Sequence, residues 1–233
     1  MTNRLPLVLL PCLMGDALLW SHQTETMRDA ADITVGDLTL DDSIGAMAER
    51  VLAGAPDNFA LAGLSMGGYV AQEIMRRAPE RVARLALIDS AARADLPEAR
   101  ERRMQSIEMT RAGQYLDVAR EMFRMLVHPD RVGDEGLWAK VRAMAEHVGP
   151  EAFIRQQLAV TNRPDGREDL KRISCPTLLL YGRQDVMTPT KVQAEMAANL
   201  PNARMVVIEE CGHLSALERP QAVSAVLRYW LQD

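Results

Sequence analysis

The chain reads as an α/β protein with about six parallel strands, helices on both faces and a helical insertion. Three observations carry that expectation. Short aliphatic or β-branched runs alternate with helical patterns, as in a parallel sheet covered by helices. One stretch of seventy residues has no convincing strand. A Gly-x-Ser-x-Gly turn sits between a strand and a helix.

The strands expected are Leu7–Leu10, Ile33–Leu38, Asn58–Ala62, Arg84–Ile88, Thr177–Tyr181 and Arg204–Ile208. These are short β-branched or aliphatic runs, and the first reads as a buried parallel strand. Helices are expected near Leu18–Ala30, Ser43–Ala53, Gly67–Arg77, Pro189–Leu200 and Pro220–Leu231. In the last, Ala222, Val223, Val226, Leu227 and Trp230 form one stripe at helical spacing.

From Arg93 to Arg163 only helical signals appear, punctuated by Gly113, Gly133, Gly136 and Pro150. That is too long for a plain connection. The expected organisation is a core of residues 1–92 and 164–233 with a helical cap, 93–163, inserted in it. Five of the 14 methionines lie there (Met104, Met109, Met122, Met125, Met144), either lining an adaptable pocket or packing on the core. Eleven arginines and one lysine face 11 acidic residues, a balance that argues against a cap built to capture anionic substrates.

Composition excludes several classes. With 48% apolar and 25% charged residues over 233 positions, the chain is an ordinary globular protein of one domain with a modest insertion. The net charge of −5 and ten aromatic residues offer no field or stacking platform for nucleic acid. The apolar stretch from Leu5 to Gly15 is about half the length needed to span a bilayer. Pro6, Pro11 and Asp16 also spoil it as a signal sequence, so a buried strand and a cytoplasmic protein are expected. Cys12, Cys175 and Cys211 show neither disulfide nor zinc spacing. No metal or organic cofactor is implied.

The chemistry lies in Gly63-Leu64-Ser65-Met66-Gly67-Gly68. Such a turn is so sharp that its flanks must be small, and it lifts the Ser65 hydroxyl from the carboxyl end of the sheet at the positive end of the next helix. About 0.03 chance matches are expected in this composition. A phosphate loop is the competing Gly-rich reading, but no lysine follows Gly68. Serine needs a base held by a third group. His22 falls on a surface helix, and His128 and His147 fall in the insertion. His213, in Cys211-Gly212-His213 just past the last strand, emerges at the same sheet edge as Ser65. Asp185, directly after Thr177–Tyr181, is the first choice for the orienting acid; Asp89, after Arg84–Ile88, is the rival.

On these residues the chain resembles the alpha/beta hydrolase superfamily. Gly182-Arg183-Gln184-Asp185, Gly212-His213 and the trailing Glu218-Arg219-Pro220 match its motifs, and the likeness spans nearly the whole chain. It is most similar to the small single-domain branch of enol-lactone hydrolases, pimeloyl-ester carboxylesterases and haloperoxidase-like esterases. The resemblance implies Ser65 as nucleophile, His213 as base and Asp185 as its partner. It also implies an oxyanion hole from the backbone N–H groups of Leu13 and Met66. Where that family usually has His-Gly after the first strand, this chain has Pro11-Cys12, while Gly15 and Trp20 keep the rest of the loop. The first strand begins near residue 7, so the usual amino-terminal hairpin is expected to be missing.

The function expected is hydrolysis of a small carboxylic ester or lactone through an acyl-enzyme. The alternatives are C–C cleavage, lyase or acyltransferase chemistry on the same triad, or a non-catalytic ligand-binding module. The partner expected is a small-molecule substrate, with no nucleic acid and no membrane.

Overall fold

A computed structural model describes residues 4–232. In chain order the elements are β1 (Leu7–Leu10), a 3-10 turn (Ala17–Trp20) running into α1 (Ser21–Thr26), β2 (Ile33–Val35), α2 (Ile44–Gly54), β3 (Phe59–Leu64), α3 (Met66–Arg77) and β4 (Val82–Ile88). Then come α4 (Pro97–Arg111), α5 (Tyr115–Leu126), α6 (Glu135–Thr161), α7 (Arg167–Leu170), β5 (Thr177–Gly182), α8 (Thr190–Asn199), β6 (Ala203–Ile208), α9 (Ser215–Glu218) and α10 (Pro220–Gln232).

The six strands form one all-parallel sheet in the order β2-β1-β3-β4-β5-β6. No strand precedes β1 among the described residues. Alternation along the strands divides the core into two layers. Leu7, Leu9, Ala60, Ala62, Ala86 and Leu180 face one layer with Trp20, Leu227 and Trp230. Val8, Leu10, Phe59, Leu61, Leu85 and Leu179 face the other with Ile44, Val51, Val70 and Ile74 from α2 and α3. β1, β3 and β5 are buried at every position, which is why β1 and β3 read as unbroken apolar runs.

The elements depart from the sequence expectation at their ends. The strand expected to reach Leu38 stops at Val35: Gly36 still donates its N–H to Leu9, and Leu38 then turns into the core beside α2. The first helix begins as a 3-10 turn because Asp16 caps the Leu18 N–H, and it ends at Thr26, short of Ala30. β3 runs on through Gly63 and Leu64, straight into Ser65. The last helix starts at Pro220 as expected. A short helix not expected from the sequence, Ser215–Glu218, precedes it and stops where Arg219, at φ −133°, meets Pro220.

Between β4 and β5 lie the three long helices α4, α5 and α6, with no strand. Gly113, at φ +85°, separates the first two, and Gly149-Pro150 kinks the third. Among the described residues, no helix is long and apolar enough to cross a membrane.

Candidate active site

The chain passes from β1 outward to β2 and then back across to β3, so direction reverses between β1 and β3. Ligands of open parallel sheets bind at the carboxyl ends beside such a reversal. Ser65 ends β3 there, and the loop after β1 faces it.

The elbow at Ser65 is strained and tightly packed. Ser65 has φ +54°, a left-handed conformation that costs a non-glycine residue about 1 kcal/mol. Its backbone is pinned by its N–H donating to Ile88 (2.9 Å) and by the Ser90 hydroxyl donating to its carbonyl (3.0 Å). A side chain at Gly67 would put Cβ 2.3 Å from the Leu10 carbonyl oxygen, and one at Gly63 would put it 2.2 Å from that of Gly67. Both neighbours are backbone and cannot step aside. Gly67→Ala, otherwise favourable in a helix, is therefore expected to destabilise by about 3 kcal/mol. Thermal unfolding should register this as a Tm lower by roughly 10 °C; an unchanged Tm would show that α3 and β1 are not in that contact.

Ser65, His213 and Asp185 meet in one hydrogen-bonded chain. Ser65 Oγ lies 2.9 Å from His213 Nε2, and His213 Nδ1 lies 2.7 Å from Asp185 Oδ2. Asp185 is buried, and its Oδ1 accepts the N–H groups of Met187 (2.8 Å) and Thr188 (3.0 Å). Its Oδ2 also takes the Thr188 hydroxyl at 2.5 Å. Asp89, the rival, spends both oxygens on backbone: Oδ1 accepts from Gly182 (3.0 Å) and Oδ2 from Ser215 (3.1 Å). It therefore ties the two loops that carry Asp185 and His213 and leaves the imidazole to Asp185.

The His213 loop is anchored at four consecutive N–H groups. Gly212 and Leu214 donate to Glu218 Oε1 at 3.0 and 3.3 Å, His213 to the Leu126 carbonyl at 2.6 Å, and Ser215 to Asp89. The other oxygen of Glu218 accepts the His128 N–H at 2.8 Å. The loop is thus stitched to the end of α5. Glu218 is the residue whose role sequence reasoning missed. Its signal was present in Glu218-Arg219-Pro220, but nothing in the spacing says which donors that carboxylate collects.

Electrostatics follow from burial among carboxylates. Burial alone would push the His213 imidazole down, but Asp185, and then Asp89 and Glu218, outweigh it and hold His213 above its ordinary value. Burial would raise Asp185, yet the adjacent imidazole and the Thr188 donors hold it below the usual carboxylate range. Asp89, fully buried and beside the charge of Asp185, is pushed above the usual carboxylate range. A base must be neutral to accept a proton, so a catalytic role for His213 predicts that activity is lost as pH falls through its pKa. The acid limb of kcat/KM is therefore expected above the ordinary histidine value of about 6.5. A limb below pH 6 would contradict this arrangement.

The loop after β1 is a tight turn. The Gly15 N–H donates to the Cys12 carbonyl at 2.9 Å, and Met14 sits at its third position with φ +57°. The Leu13 N–H has no acceptor among the described residues, and the Met66 N–H, first in α3, can have none within its helix. Leu13 and Met66 line the same cavity as Ser65 and His213. Cys12, beside them, is a free buried thiol pushed up to about 12 by burial, and Cys211 is raised likewise.

That cavity holds about 440 Å³. Another of the same volume lies at the opposite strand ends, under α10, lined by Arg84, Thr177 and Asn202; it contains none of the groups above. The insertion's balanced charge does not carry over to the cavity wall. Arg93, Arg102, Arg103 and Arg163 line it against Asp95 and Glu98, so a tally over the whole insertion overlooks a basic wall. Asp95 is clamped between Arg103 (2.6 Å) and Arg163 (2.7 Å). Of the five methionines in the insertion only Met122 lines the cavity; Met144 is core, and Met104, Met109 and Met125 are exposed. Among the described residues, no three His, Cys, Asp or Glu side chains cluster as a metal site.

A parallel sheet bearing a strained serine elbow at its reversal point defines an alpha/beta hydrolase. The chain belongs to that family: the model of the Alpha/beta hydrolase family matches residues 7–226. It is 30% identical over 186 residues to the pimeloyl-[acyl-carrier protein] methyl ester esterase of Nitrosomonas europaea, covering 77% of this chain and 74% of the relative. Among solved structures it is similar to a thermophilic esterase from Thermogutta terrifontis, studied with malate bound. The TM-score is 0.89 at 31% identity, over 98% of this chain and 89% of that one. The enol-lactonase of Burkholderia xenovorans shares the fold, with a TM-score of 0.88 at 22% identity over 99% of this chain and 93% of that one.

Proposed function

We propose that this alpha/beta hydrolase is a serine esterase cleaving small carboxylic esters or lactones through an acyl-enzyme. One observation carries the reading: the unbroken hydrogen-bonded chain from Ser65 through His213 to Asp185 at the wall of the cavity. His213 Nε2 accepts the hydroxyl proton while Ser65 Oγ attacks the ester carbonyl. Charge that builds on the carbonyl oxygen is received by the N–H groups of Leu13 and Met66, one such donor being worth about 3 kcal/mol in other enzymes. His213 then gives its proton to the departing alkoxide. Water, deprotonated by the same nitrogen, attacks the acyl-enzyme and releases the acid. Asp185 fixes the imidazole with its proton on Nδ1, leaving Nε2 free to accept.

In this reading residues 93–163 are a cap on a core of residues 1–92 and 164–233, and the cavity between them holds the acyl group. The name of the Nitrosomonas protein, a methyl ester esterase, supports an ester with a small alcohol as the first substrate to try.

The test is pre-steady-state hydrolysis of p-nitrophenyl esters from acetate to octanoate. The expected record is a burst of nitrophenol equal to the enzyme concentration, followed by slower turnover. Turnover without an acylated intermediate, caught by mass spectrometry after acid quench, would overturn the acyl-enzyme mechanism.

A further inference from the structure

We infer that Gln156, on the last long helix of the insertion, is a positioning residue for the turn that presents the Leu13 N–H. The inference rests on the acyl-enzyme reading above. Gln156 is completely buried, and its side-chain amide spans two loops. Oε1 accepts the Met14 N–H at 3.0 Å, and Nε2 donates to the Leu38 carbonyl at 3.1 Å. The amide can sit only this way round, since a flip would set donor against donor and acceptor against acceptor.

The residue so held is the one that needs holding. Met14 occupies the left-handed region at φ +57°, where a non-glycine side chain is disfavoured, and Leu13 is its immediate neighbour. Its side chain is gripped by the same part of the molecule. Met14 is buried in a small apolar cluster whose other fully buried members, Tyr115, Val118, Ala119, Ala145 and Phe153, all come from α5 and α6. The insertion thus fixes the turn through both backbone and side chain. Without the Gln156 acceptor, the Met14 N–H is buried and unpaired, and the turn can relax by rotating the peptide that carries it. Misplacement of a donor by an ångström is enough to weaken its grip on a developing charge.

The experiment compares wild type, Gln156→Met and Gln156→Glu with p-nitrophenyl butyrate and with an alkylboronic acid, whose tetrahedral adduct resembles the charged intermediate. Gln156→Met is expected to lower kcat by about 30-fold, less than the loss of an entire donor. KM should stay within about twofold, and boronate affinity should fall by the same factor as kcat. The Gln156→Glu variant, neutral when buried, accepts from Met14 and donates to Leu38 as the amide does, and is expected to stay within about threefold of wild type. As pH rises and that carboxyl ionises against the Leu38 carbonyl, its kcat should fall and its boronate affinity weaken relative to wild type. Should Gln156→Met fail to fold, this relative pH profile carries the test alone. Unchanged boronate affinity in Gln156→Met, or a Gln156→Glu profile parallel to wild type at every pH, overturns the positioning role. Wild-type turnover that survives in Ser65→Ala would instead sink the acyl-enzyme reading on which the role rests.

Discussion

Replacing Ser65 by alanine is expected to lower kcat by about 10⁶-fold and to abolish the burst. The hydroxyl is the only group of Ser65 that the substitution removes, and it makes one hydrogen bond, to His213. The backbone hydrogen bonds to Ile88 and Ser90 remain, so Tm should move by no more than a few degrees. Residual catalysis above water is expected, because Leu13, Met66 and the cavity still bind the substrate. A variant that keeps even a hundredth of the wild-type rate would place the nucleophile elsewhere. Cys12 would be the next candidate to mutate, although its raised pKa makes its thiol a poor one.

The second large effect is expected at Asp185→Asn, with kcat reduced by about 10⁴-fold. The amide can keep its oxygen toward the Met187 and Thr188 N–H groups, so the loop retains its shape. Its NH₂ then faces His213 Nδ1 and favours the tautomer with the proton on Nε2. That nitrogen can no longer accept from Ser65. Asp89→Asn serves as the comparison. Asp89 accepts the backbone N–H groups of Gly182 and Ser215 in the two loops, so its loss should act mainly through stability and by roughly 10-fold or less in kcat. The two variants are read by kcat and by unfolding in parallel. A reversed ranking, with Asp89→Asn the more damaging to kcat at intact stability, would move the acid role from Asp185 to Asp89.

Much of this was legible from residue order. Strands buried on both faces announce themselves as aliphatic runs, and the glycines at 63 and 67 declare a turn with no room for a side chain. Ser65, His213 and the carboxyl-end aspartates follow from where strands stop. What was not legible depends on distant partners. Residue order favours Asp185 over Asp89, but both follow a strand, and only the structure shows which oxygen lies against the imidazole. Past Val35 the chain leaves the sheet, and Leu38 packs beside α2 while its carbonyl accepts from Gln156 in the insertion. The basic cavity wall escaped a charge tally because a tally averages over faces, and Arg93 and Arg163 lie at opposite ends of the insertion in sequence. Gln156 looked like any helical polar residue, since its two partners lie more than a hundred positions upstream.

The hydrogen bonds that assemble the site also fix when it can exist. Ser65 is joined to His213 across 148 positions, and Met14 to Gln156 across 142. A ribosome adding about 5–20 residues per second extrudes the elbow well before the imidazole that hydrogen-bonds it. On the proposed mechanism the nascent chain therefore carries an inert serine for several seconds, and is expected to become hydrolytic only as its last loop docks against residues 126 and 128. Such long-range closure is slow relative to local helix formation, so activity should be the final signal to return on refolding, after the sheet has recovered its ellipticity.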